Sequence, residues 1–135
     1  MLPLIDTHQH LWDLSRLELP WTGGISQLNR SFLMSDYLQA SEGQKVSKTV
    51  YMEVDVHPDH RQREVEIISE ICSDASNPMQ AAVFCAEPGG VDFEPFLENN
   101  QNNPWIRGLR KVLHNPDIPK GACLKPQFVD GVRIL

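Results

Sequence analysis

A chain of 135 residues, 41% apolar and 22% charged, has room for a single hydrophobic core, needs no second domain, and is not a disordered or low-complexity polymer. A formal net charge of −6, spread along the chain, argues against nucleic acid or an anionic membrane surface as partner, and no apolar run reaches the roughly 20 residues that span a bilayer. Cys72, Cys85 and Cys123 cannot all pair and have no Cys-x-x-Cys spacing; with no basic-then-apolar leader at the N-terminus, free thiols in the cytoplasm are the expectation.

The stretch Leu2 to His10 is apolar and then alternating, which predicts a first strand carrying Asp6, His8 and His10 on one face. From Leu11 to Ser31 the breakers Pro20, Gly23 and Gly24 predict a long loop. Ser35 or Asp36 is placed to cap a helix that runs towards Glu42 and stops at Gly43. A second strand follows, in which Val50, Met52, Val54 and Val56 alternate with Thr49, Tyr51, Glu53 and Asp55. If the apolar set packs on helices, Glu53 and Asp55 point the way His8 and His10 point.

The stretch from Pro58 to Ala75, with Val65, Ile68, Ile71 and Cys72 at helical spacing, is the best helix of the chain. "MQAAVFCAEP" reads as a third strand closed by Pro88-Gly89-Gly90, and Asp92 is placed to cap a short helix through Phe93, Phe96 and Leu97. "WIRGLRKVLHN" reads as a fourth strand with Gly108, Arg110 and Val112 on one side, and Pro126 to Leu135 starts a last helix. Strands alternating with helices imply parallel strands joined by crossovers, as in a doubly wound sheet or a (β/α)₈ barrel. No glycine-rich phosphate loop follows any strand, which speaks against a dinucleotide fold.

In parallel α/β folds the carboxyl ends of the strands face the site, and His8 and His10 lie at such an end. Their spacing puts two imidazoles on one side of a strand, about 6 to 7 Å apart along the backbone, where both can turn to one divalent ion such as zinc. Asp6, one step deeper, is placed to fix a histidine tautomer. A bare His-x-His is by itself a weak metal signal.

Its setting adds to that. "DTHQHLW" after a short N-terminal strand resembles the opening of the amidohydrolase superfamily, in particular the amidohydrolase-2 branch with its sugar lactonases. "VYMEVDV" looks like that branch's second strand, "WIRGLRKVLHNPD" is similar to its fourth, and "LKPQFVDGVRIL" resembles the segment after it. The resemblance implies the N-terminal half of a TIM-type (β/α)₈ barrel, residues 1–135, with about four parallel strands and crossover helices. It implies His8 and His10 as ligands of a divalent metal, zinc above all, and Arg110 as the holder of a carboxylate or hydroxy acid. Glu53 and His114 would contact the substrate. Apart from the resemblance, Trp12 and Trp21 in the first loop are placed to line a pocket, with Trp12 as a candidate substrate contact.

A whole barrel takes about 250 residues, and this chain is expected to stop before the fifth strand. The family completes its site with a histidine on the fifth strand and an aspartate on the eighth, so the general base is expected beyond these residues. The expectation is a metal-dependent hydrolase of a lactone or related C–O or C–N bond, inactive as this fragment. A non-catalytic half-barrel module for binding or assembly is the alternative, and a decarboxylase of the same branch is another. Open strand edges predict a homo-oligomer. Blander roles stand beside these: Arg110 as ion-pair partner of Glu53 or Asp55, His114 as a turn residue, Trp12 as cover for the barrel end.

Overall fold

The computed structural model describes residues 2–135. Four strands, β1 (Leu4–Gln9), β2 (Val46–Met52), β3 (Met79–Cys85) and β4 (Ile106–Arg110), form one parallel sheet in the order β1-β2-β3-β4. Helices α1 (Met34–Ala40), α2 (Arg61–Ser73) and α3 (Phe93–Asn100) lie in the three crossovers, and α4 (Pro126–Arg133) follows β4. A doubly wound sheet reverses its strand order at a switch point. Here every new strand joins the free edge of the one before, which is the progression of a barrel. The architecture is therefore half of a (β/α)₈ barrel, as the sequence predicts.

Local chemistry sets the element ends. The Asp36 carboxylate accepts the Leu33 backbone N–H at 2.8 Å and pairs with Arg30 at 3.0 Å. Helix α1 therefore starts at Met34, ahead of the expected cap, and Asp36 braces its first turn from inside. A tight helical turn, Pro58–His60, leads into α2. That helix buries Val65, Ile67, Ile68 and Cys72 against the sheet, each large side chain contributing about 1.5–3 kcal/mol of transfer free energy.

The sidedness of β2 is the reverse of the sequence expectation. Thr49 and Tyr51 are wholly buried on the helix side, while Val50 and Met52, with Val83 and Gly108 beside them in register, face the open side. The reason is a partner: the Tyr51 hydroxyl donates to Glu64 of α2 at 2.7 Å, and Thr49 donates to the buried Gln9 of β1. Polar groups with partners tolerate burial, and a barrel interior is itself lined by branched apolar residues, so hydropathy alone does not tell the two faces apart.

Strand β1 also departs from simple alternation. An irregularity between Asp6 and Gln9 lets Asp6 pair beside Thr49 and Gln9 beside Tyr51, both on the helix side. Asp6 thus leaves the histidine face and accepts the Tyr37 hydroxyl of α1 at 2.8 Å. At the other end of the chain, α4 crosses the turn after β3 backbone to backbone. A Cβ on Gly131 would lie 2.3 Å from the Gly89 nitrogen, and Gly89 itself sits at φ +79°, so both positions require glycine.

Candidate functional site

The carboxyl ends of the strands and the turns that leave them enclose a cleft of about 390 Å³, lined by His10, Trp12, Trp21, Glu53, Asp55, Arg110, His114 and Asn115 among others. It gathers most of the residues singled out from the sequence, although they come from β1, the loop after it, the turn after β2, and β4 with the segment that follows.

His8 and His10 meet ring to ring, with their Nε2 atoms 3.1 Å apart. The Nδ1 atom of His10 lies 2.9 Å from the Met52 carbonyl oxygen. A carbonyl only accepts, so His10 carries its proton on Nδ1, and its Nε2 lone pair accepts the Nε2–H of His8. Desolvation of the ring lowers the pKa of His10 from its ordinary 6.5, with the neighbouring His8 and Arg110 adding to the effect against the hydrogen bond to Met52. The neutral form that a metal needs is thereby favoured. Asp6 touches neither ring; its carboxylate takes the His8 backbone N–H at 3.0 Å and the Tyr37 hydroxyl.

Glu53 has no exposed side-chain surface and stands 2.9 Å from Arg110 through Oε1. Its Oε2 accepts the Asp55 backbone N–H at 2.7 Å. Asp55 lies at φ +51°, the one non-glycine left-handed residue among those described. That turn breaks the alternation of β2 and swings Glu53 to the mouth, so it arrives there for a reason other than strand periodicity. Glu53, Asp55 and Cys85 place one donor atom each within 4.8 Å of one another. Burial pushes the Cys85 thiol up to about 11, and Arg110 already neutralises Glu53, so an ion could enter this group only by displacing a proton and a guanidinium.

Trp12 lines the cleft but is 9% exposed, and its indole N–H donates to the Arg30 carbonyl at 2.7 Å. Backbone bonds to Phe32 in both directions, and Arg30 over the Phe32 ring at 3.6 Å, pin the long loop. Trp21 packs edge-on against Trp12 and donates to the Val54 carbonyl at 2.7 Å. His114 is exposed beside Asn115, whose amide donates to Asp55 at 3.3 Å. Of the lining residues, Trp21 is the loop aromatic that the sequence offers as a pocket wall and Asp55 the carboxylate that it points towards the histidines, whereas Asn115 carries no signal beyond the Asn-Pro turn after His114.

No family model matches the chain. A curated relative, an uncharacterized protein y4mH of Sinorhizobium fredii (strain NBRC 101917 / NGR234), is 24% identical over 122 residues, covering 84% of this chain and 41% of its own. Among solved structures, an amidohydrolase 2 from Bifidobacterium longum subsp. infantis superposes with a TM-score of 0.70 at 25% identity, over 98% of this chain and 47% of that one. An amidohydrolase from Burkholderia multivorans, solved once with bound HEPES and once with bound zinc, gives 0.74 at 21% identity, over 99% of this chain and 45% of that one. The chain spans about half the length of the proteins it matches. Its four β/α units thus have the fold of half an amidohydrolase-2 barrel, and the likeness read from the sequence motifs holds in the structure.

Proposed function

We propose that these residues form one side of the site of a metal-dependent hydrolase acting on a lactone or a related C–O or C–N bond. The observation that carries this is the His8–His10 pair. Two nitrogens at 2.0–2.1 Å from a tetrahedral zinc lie about 3.3 Å apart, and the two Nε2 atoms lie 3.1 Å apart, so an ion would replace the His8–His10 hydrogen bond, with His8 shifting its proton to Nδ1 and His10 already in the ligating tautomer. The zinc bound by the Burkholderia amidohydrolase supports a metal of this kind. Once bound, a divalent ion supplies Lewis-acid polarisation of a carbonyl and a more acidic water.

The chain's own groups do the rest. Arg110, held at the mouth by Glu53, presents its remaining N–H donors to a carboxylate or hydroxy acid. Trp12 and Trp21 wall the cleft against water, and His114 and Asp55 offer hydrogen-bonding groups at its rim. Two histidines are fewer than the three ligands usual for catalytic zinc, so the chain by itself turns a lactone over weakly or not at all.

Calorimetric titration with zinc is the test. One ion per chain is expected, lost in His8→Ala and in His10→Ala with the fold intact by circular dichroism; stoichiometric zinc in the double variant overturns the assignment.

A binding or assembly role is the second reading, favoured by the Glu53–Arg110 pair, which already occupies the arginine, and by the open face of the sheet. On either reading we assign the chain to the cytoplasm on its free thiols and propose a homo-oligomer in which a second copy covers that face. A clean monomer in light scattering counts against the oligomer.

A further inference from the structure

A second cleft, of about 580 Å³, opens on the helix side of the sheet between α2, α3 and the end of β3. It uses only β/α units that are whole in this chain. Arg61, the first residue of α2, lines it; its Nε is buried and has no hydrogen-bond partner, and no ion pair engages it among the described residues. A buried guanidinium nitrogen without an acceptor is costly, and a carboxylate is the acceptor that fits the guanidinium fork.

The same cleft carries acids. Glu87 is taken by Lys111, and Asp59 lies beside His57, whereas Asp92 at the start of α3 has no cation partner among the described residues. The lining also includes apolar side chains, Phe93, Phe96 and the 93%-exposed Val91. The Gln62–Asn100 amide pair, at 2.9 Å, ties α2 to α3. A plain anion meets Asp92, and a plain cation meets Arg61. A molecule carrying both charges on an apolar body satisfies each.

We propose that this cleft binds a small zwitterion with an aromatic or branched apolar body, of the amino-acid class, its carboxylate on Arg61 and its ammonium on Asp92. Cys85 is among the lining residues, and its sulfur lies within 4.8 Å of a Glu53 and an Asp55 carboxylate oxygen.

The probe is L-phenylalanine, followed by amide chemical shifts of the labelled chain. Saturable shifts confined to residues 58–62 and 85–99 are expected, with a Kd of about 1 mM for a ligand of this size. 3-Phenylpropionate and phenethylamine, each lacking one charge, should bind about tenfold more weakly or worse. Arg61→Gln should abolish L-phenylalanine binding, and Asp92→Asn should erase the preference for it over 3-phenylpropionate; among the described residues neither side chain makes a hydrogen bond or ion pair that the substitution would remove. The proposal falls if no saturable shift appears up to roughly 10 mM, if the shifts gather at residues 10–12 and 110–114, if Arg61→Gln binds as well as the parent, or if 3-phenylpropionate binds equally well.

Discussion

On the helix side of the sheet Tyr51, Met79 and Phe84 have no exposed surface, while across the same strands Val50, Met52, Val83 and Gly108 remain half-exposed. The backbone ladder is common to both faces. What differs is cover: the helix layer seals one side, and nothing in these four units seals the other. Stability is therefore concentrated in the helix layer, and the strand ends that carry His8, His10 and Arg110 are held in place by packing on the opposite face. In such an arrangement the site can be altered at little cost to the fold, whereas the helix layer cannot.

The largest effect expected from breaking this asymmetry comes from neighbouring residues on β3. Phe84→Ala removes a ring from a sealed core and should cost about 3–5 kcal/mol in urea denaturation. Val83→Ala, one residue earlier and on the open face, should cost about 1 kcal/mol or less. Equal losses would mean that the open face is covered in solution, and would make the second-copy reading stronger.

Next comes a charge inside the helix layer. Glu64 is wholly buried, with Oε1 held by the Tyr51 hydroxyl and the Val54 N–H and with Oε2 lacking any partner. Burial lifts its pKa from 4.5 to about 7, against the hydrogen bonds that lower it. The folded state thus keeps this proton to higher pH than the unfolded chain does. Its contribution to stability is fully present below about pH 4.5 and is lost as pH rises to about 7. The loss is on the order of 3 kcal/mol, at about 1.4 kcal/mol per pH unit. Denaturation midpoints of the parent relative to Glu64→Gln, followed from pH 4 to pH 8, isolate this slope, and a flat difference across that range refutes it.

How much of this was legible in the sequence follows from the same asymmetry. Element order came through because apolar spacing, Pro58, Gly43 and the Pro88-Gly89-Gly90 break are local signals that tertiary contacts did not overrule. The side of β2 did not, because Tyr51 depends on Glu64, thirteen residues on, and no alternation rule contains that bond. Asp6 was misplaced in the same way: the irregularity in β1 and the Tyr37 hydroxyl turn it to the helix side. His8, His10 and Arg110 were legible because strand ends converge in any parallel sheet. Trp21 and Asp55 were legible only as candidates, because the loop and the left-handed turn that bring them to the cleft follow no alternation rule, and Asn115 was not legible at all.

The smallest effect expected tests whether the mouth carries strain for a purpose. Asp55 is held at φ +51° by the bond from its N–H to Glu53, and among the described residues its carboxylate accepts one hydrogen bond, from Asn115 at 3.3 Å. Glycine reaches that backbone without a Cβ penalty, so Asp55→Gly should stabilise the chain by about 0.5–1 kcal/mol, a shift of a few degrees in thermal midpoint. A residue kept against such a gain is kept for its carboxylate, which then belongs to the working surface of the cleft. A lower midpoint in Asp55→Gly would instead make the Asn115 contact structural, and Asp55 one more brace for Arg110 through Glu53.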